Sequence, residues 1–133
     1  MKLVVDTGVF SAALSRRSRP DLEPAIARLV GNQLFVAVQT VAELRYGALV
    51  AGWADRRRAR LEAAIVAITV LPVTDELLHG VARLRYACRA QGHPLADRVH
   101  HADLWIAATA IDAEMPLITA DSVFRDVPGL VLA

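Results

Sequence analysis

Apolar positions along this chain follow two rhythms. Nearly unbroken runs occur in "KLVVD" at residues 2–6, "LFVAV" at 34–38 and "ITVLPV" at 68–73, and they predict short strands buried on both faces. Between them the spacing becomes helical. Leu77, Leu78, Val81, Leu84 and Cys88 predict a helix over 74–90, opened by Thr74-Asp75 and broken by "QGHPL". Further helices are predicted over 7–14, 21–30, 40–51 and 54–67; Gly31-Asn32 stops the second and Gly52 separates the last two. "PLITAD" at 116–121 and "PGLVLA" at 128–133 read as two more short strands. Strands alternating with helices predict a parallel sheet covered on both faces, an α/β domain with one core.

One helix breaks the usual pattern. In "HHADLWIAATAIDAE", residues 100–114, Thr109 is the only polar residue between Leu104 and Ile111. A helix that is apolar nearly all round is buried, yet Asp103 stands at its head. An unpartnered buried charge costs far more than the few kcal/mol by which a domain is stable, so Asp103 needs a partner, a proton or a metal.

Composition narrows the class. The 133 residues suit a single domain spanning 1–133, with no repeats, low-complexity segments or linker, long enough to bury roughly two thirds of its unfolded surface. Hydrophobic content of 55% invites a membrane reading, but much of it is Ala and Val. Stretches such as "AAIVAI" fall far short of the roughly 18 residues a spanning helix needs. The N-terminal apolar run meets Asp6 at once, unlike a signal peptide. Cys88 has no internal disulfide partner and no Cys/His zinc spacing occurs, so the expected location is cytoplasmic. The net charge of +1 hides an asymmetry, because Lys and Arg predominate before residue 60 and Asp and Glu after it.

In such folds ligands bind beyond the carboxyl ends of the strands. Asp6 follows "LVV" and Asp121 follows "LIT" by two residues, which puts both at that end. Glu43 is expected in the first turn of the helix after "LFVAV", and Asp103 in the first turns of the helix leading back to the sheet. Simpler readings exist: Asp6 and Asp121 as caps, Glu43 as a solvated residue favoured by a helix dipole. Asp97, Asp112, Glu114 and Asp126 read as caps or exposed helix-end charges. Two carboxylates about 5 Å apart repel by roughly 3 kcal/mol at an effective dielectric of about 20, and four make six such pairs. Protons or a divalent cation must neutralise such a cluster. With only oxygen donors, Mg²⁺ or Mn²⁺ is the natural ion, and such sites perform phosphoryl chemistry.

The segments "VVDTGVF", "TVAELRYGA", "HADLWIAATA" and "LITADSVF…PGL" together resemble the PIN-domain ribonucleases, and the short chain resembles the VapC-type toxins of bacterial toxin–antitoxin modules. The resemblance spans almost the whole chain. It implies a three-layer α/β/α sandwich with a short central parallel sheet, and a metal-dependent endoribonuclease acting on structured RNA of the tRNA or rRNA class. The implied acidic quartet is Asp6, Glu43, Asp103 and Asp121, holding Mg²⁺ or Mn²⁺, with supporting hydroxyls at Thr7 and Thr119. At Gly8 this chain departs from the Ser usual in the family. A VapB-type antitoxin and a toxin homodimer are the implied partners, with no membrane. Apolar helices near Leu49 and Trp53 independently suggest a covered surface.

For RNA, Arg16 and Arg17 after the first helix are the favoured phosphate contacts, with Arg45 as a further candidate. Arg56, Arg57, Arg58 and Arg60 read as a solvated face, and His100 as a helix residue near the mouth of the site. Aromatic residues are few and form no evident stacking platform. Three competing functions differ in recognisable ways. A phospho-acceptor regulator needs a Lys near its end, whereas the only Lys here is Lys2. A silent PIN-fold binding module would lose part of the quartet, and a housekeeping RNA or DNA nuclease would share its chemistry without toxicity.

Overall fold

The computed structural model describes residues 1–15 and 17–133; Arg16 lies outside them. Four strands, β1 (Lys2–Val5), β2 (Gln33–Ala37), β3 (Thr69–Leu71) and β4 (Leu117–Ile118), form one sheet in the order β3-β2-β1-β4. Every pairing is parallel, with Val4 opposite Phe35 and Leu117. Consecutive strand residues face opposite ways, as a period of two requires. Val4, Phe35, Ala37 and Leu117 enter one core, while Val5, Val36 and Ile118 enter the other.

The first core packs the sheet against α5 (Asp75–Gln91) and α6 (His101–Asp112); the second packs it against α1 (Thr7–Leu14), α3 (Val38–Val50) and α4 (Asp55–Ala67). The result is the expected α/β/α sandwich. Helix α5 has both expected ends. Thr74 accepts from the Leu77 amide at its start, and Gly92 stops it in the left-handed region at φ +69. Helix α6 is the central one, with Leu104, Ile106, Ala107 and Ala110 all essentially inaccessible to solvent.

Several boundaries differ from the sequence reading. The helix expected over 21–30 shrinks to α2 (Glu23–Ala27), because Pro24 fits only a first turn and the chain leaves by turns toward Gly31. Helix α3 starts two residues earlier than expected, at Val38, with no side-chain cap to mark its start. "PGLVLA" makes no strand and contributes only the isolated bridge between Leu132 and Leu117, backed by the Leu117 amide to the Val131 carbonyl at 2.9 Å. No helix among the described residues is long and apolar enough to cross a membrane.

Chain order determines where a crevice opens. From β1 the chain moves outward through β2 and β3, and then returns to add β4 on the other side of β1. The carboxyl ends of β1 and β4 therefore flank the point where strand order reverses, the usual ligand crevice of an open parallel sheet.

Candidate active site

Asp6 is the first residue beyond β1, and its backbone amide donates to the Ile118 carbonyl of β4 at 3.1 Å. Its side chain is almost wholly buried. Oδ1 accepts from the Val9 amide at 2.8 Å and caps α1, and Oδ2 accepts from the Thr119 hydroxyl. The residue both caps α1 and lines a cleft. Thr119 in turn accepts from the Asp121 amide at 3.0 Å, and Asp121 caps the next turn through the Val123 amide at 3.0 Å. One hydroxyl thus links the acids of β1 and β4.

Glu43 lies in the second turn of α3 rather than the first, since the helix begins at Val38. The dipole explanation for it weakens accordingly, because that effect fades beyond the first turn. Its Oε1 accepts from the Thr7 hydroxyl at 2.8 Å. The Thr7 and Thr40 hydroxyls lie 3.0 Å apart, so with its proton given to Glu43, Thr7 accepts from Thr40. Thr40 is fully buried, and sequence reasoning misses it. The one signal for it is a Thr placed one helical turn before Glu43, on the same face.

Asp103 occupies the first turn of α6, where His100 Nδ1 lies 3.2 Å from its Oδ2 and both side chains are about seven-tenths buried. His100 is therefore a direct partner of the quartet rather than a solvated helix residue.

All four acids line one open cleft of about 480 Å³, together with Thr7, Gly8, Arg19 and Asp21. Burial raises the Asp6 carboxyl above its ordinary range; the Thr119 and Val9 hydrogen bonds oppose the rise, and the charges of Asp121 and Asp103 add to it. Desolvation likewise raises Glu43 against its bond from Thr7, and raises Asp103 against its bond from His100. The acids interact electrostatically, and among the described residues the cleft lining carries more acidic than basic side chains.

The donor set, four carboxylates, suits a hard divalent cation. Among the described residues no three acid, imidazole or thiol groups are already drawn into a ligand set. An ion held by one or two carboxylates with water completing its shell fits this open arrangement. Gly8 does not disturb it, because an added Cβ would meet only Asp6 Oδ1 at 3.8 Å, and Asp6 has both oxygens bonded without a neighbouring Ser.

The basic candidates separate. Arg45 lies outside the cleft, its guanidinium held by Glu62 at 2.7 Å on α4. Arg16 lies outside the described residues. Arg17 lines a second groove, of about 590 Å³, with Leu14, Leu44, Trp53, Arg57, Arg60 and others. Arg57 stacks on the Trp53 ring with 3.8 Å between guanidinium carbon and ring centroid, so part of the expected solvated face is a groove wall. Among the described residues, the arginine lining the acidic cleft is Arg19, paired with Asp21 at 3.3 Å. Trp53 is half-buried against the second core, whereas Leu49, Tyr46 and Val50 are exposed on α3.

Comparison with known proteins gives concordant results. The PIN domain family matches residues 3–130. Ribonuclease VapC5 of Mycobacterium tuberculosis (strain ATCC 25618 / H37Rv) is 38% identical over 128 residues, covering 95% of this chain and 87% of that protein. Among solved structures, VapBC-5 from Mycobacterium tuberculosis, a member of the VapBC family of toxin-antitoxin systems, shares 29% identity with a TM-score of 0.68, covering 99% of this chain and 98% of the other. VapBC2 from Rickettsia felis, bound to a DNA fragment from their promoter, aligns at a TM-score of 0.80 over 100% of this chain and 98% of the other. Its 19% identity speaks for the fold alone.

Proposed function

This chain belongs to the PIN-domain family, and on that premise we propose that it is a metal-dependent endoribonuclease, the toxin of a toxin–antitoxin pair, cleaving structured RNA of the tRNA or rRNA class. The observation that carries the reading is the convergence of Asp6, Glu43, Asp103 and Asp121, from four separate parts of the fold, on one cleft at the strand-order reversal. Ribonuclease VapC5 supports the activity, and VapBC-5 supports the pairing with a second protein.

Asp6, Glu43, Asp103 and Asp121 are the residues that would hold Mg²⁺ or Mn²⁺. When bound, such an ion activates water and neutralises charge on the scissile phosphate. The chain's own residues preorganise the acids. Thr119 and the Val9 amide fix both oxygens of Asp6, Thr7 orients Glu43, and His100 orients Asp103. The fully buried Ala107 and Ala110 let α6 approach the sheet closely. Removing the ion tests the reading. Cleavage should require Mg²⁺ or Mn²⁺ and stop in excess EDTA, and titration calorimetry should detect Mn²⁺ binding that Asp6→Asn weakens. Undiminished cleavage in the chelator would overturn the metal requirement.

RNA is proposed to approach past the end of α1, which Arg16 and Arg17 follow in sequence. Replacing Arg16 and Arg17 together should weaken binding uniformly across sequences. The log–log salt dependence should flatten by up to about 0.7 for each single-strand phosphate that the two arginines neutralise. An unchanged slope, with a reduced one for Arg19→Ala, would route the RNA past Arg19 instead.

The groove beside α1 is the proposed seat of the antitoxin. Thr7 and Gly8 of α1 line the cleft, and Ser11 and Leu14 of the same helix line the groove, so one extended segment can occupy both. The floor of Leu14, Leu44 and Leu61 takes apolar side chains, and Arg17, Arg57 and Arg60 take acidic ones. The exposed Tyr46, Leu49 and Val50 of α3 are the proposed contact of a toxin homodimer.

A further inference from the structure

The turn that carries Asp121 is held at its start by the Thr119 hydroxyl, which accepts from the Asp121 amide, and in its depth by the hydrophobic core. Asp121 opens a single-turn helix, Ser122–Phe124, that closes on Arg125. Within it the Phe124 amide donates to the Asp121 carbonyl at 3.3 Å and the Arg125 amide to the Ser122 carbonyl at 3.1 Å. The buried Phe124 ring fixes its depth. Neither contact reaches the far end of the turn, at Arg125, whose placement sets the tilt of the turn in the cleft.

His93 holds that far end. Its Nδ1 accepts from the Leu95 amide at 3.0 Å, and its Nε2 lies 2.7 Å from the Arg125 carbonyl oxygen. An amide only donates and a carbonyl only accepts, so both bonds exist together only when the ring is neutral with its proton on Nε2. Leu95, in the single-turn helix Pro94–Ala96, is itself fully buried. The ring therefore ties the Asp121 turn to a fixed part of the first core. Directly after Arg125 the chain turns through Asp126, which adopts a left-handed backbone at φ +59, a region that Asp tolerates better than most non-glycine residues.

We propose that His93 is a positioning residue for Asp121: as the Nε2-protonated tautomer it clasps the Arg125 carbonyl and sets the orientation of the Asp121 turn in the acidic cleft. The effect on cleavage rests on the ribonuclease reading above; the clasp itself does not.

Two substitutions separate the halves of the clasp. In His93→Asn the amide oxygen replaces Nδ1 as acceptor for Leu95, but the side chain is too short to reach Arg125. In His93→Gln the amide nitrogen can donate to Arg125, and the Leu95 bond is broken. His93→Asn is expected to lower kcat about tenfold with KM nearly unchanged, as small misplacements in preorganised sites do, while His93→Gln retains most of the rate. Amide exchange at Val123, whose N–H bonds to Asp121, should quicken in His93→Asn and not in His93→Gln. In the parent, the His93 ring nitrogens should show an unprotonated Nδ1 and a protonated Nε2 by nitrogen NMR. An Nδ1-protonated ring overturns the proposal, as does a His93→Asn protein with parental kcat and parental Val123 exchange. A parent chain that cleaves no RNA overturns the ribonuclease reading alone, since the tautomer and exchange measurements still decide the clasp.

Discussion

Asp6→Asn and Asp103→Asn are each expected to lower RNA cleavage by about a thousandfold or more while leaving the fold intact. Each removes a charge from the set proposed to hold a cation, which would supply several kcal/mol of transition-state stabilisation, and each tenfold in rate corresponds to about 1.4 kcal/mol. Folding should survive because Asn keeps the shape and most of the hydrogen bonds. At residue 6 the amide oxygen can still accept from the Val9 amide, and the amide nitrogen can donate to the Thr119 oxygen. The metal-free variant should in fact melt higher than the parent at neutral pH. Burial and the neighbouring acids raise the folded-state pKa of Asp6 and Asp103 above the ordinary 3.8. The native state therefore binds more protons than the unfolded chain in the window that begins near 3.8 and extends upward, and stability falls as pH rises through that window. Asn removes this loss, so its advantage should appear at neutral pH and vanish well below 3.8, where the carboxyls are protonated in both states. Thermal melts of parent and variant across that range, with chelator present, check the sign. Cleavage at near the parent rate by either variant would mean that the site lies elsewhere.

The parts of this site that are legible from sequence are those where a polar residue contradicts its surroundings. Asp6 ends an apolar run and Asp103 heads an apolar helix, so each demands an explanation before any geometry is known. The helical period of 77–88 places α5 because an amphipathic pattern determines which face is buried. The parts that stay hidden are those settled by tertiary contact. Thr40 looks like any helix threonine until Thr7 is brought against it from another element. His93 sits in a segment that reads as a helix breaker, and its partner Arg125 is 32 residues away. The start of α3 at Val38 has no capping side chain, so no residue announces it and the sequence pattern puts Glu43 one turn too early. The arginines are the least legible, because a long cation next to a site in sequence can pair away from it, as Arg45 does with Glu62.

Expression of this chain alone is expected to halt growth of its host, and co-expression of a short protein encoded beside it should restore growth and abolish cleavage in vitro. A ribonuclease with an open, acid-lined cleft would be harmful unless that cleft is filled, and the simplest filling is a guanidinium or ammonium group that pairs with the acids in place of the metal. Such a plug needs a delivery surface, because an exposed ion pair alone contributes little affinity. The groove beginning one turn along α1 meets that need, with an apolar floor and the Arg17, Arg57 and Arg60 rim. The partner is therefore expected to present an apolar stretch flanked by acidic residues, followed by an Arg or Lys that reaches Asp6 and Asp103. Two variants distinguish docking from plugging. Asp103→Asn should be harmless when expressed alone yet still bind the partner, since the groove is untouched. Arg57→Glu with Arg60→Glu should keep its cleavage and toxicity but escape neutralisation, because the rim then repels the acidic flank. Harmless expression of the parent chain with all four acids intact would remove the toxin reading and leave a housekeeping nuclease or a binding module in its place.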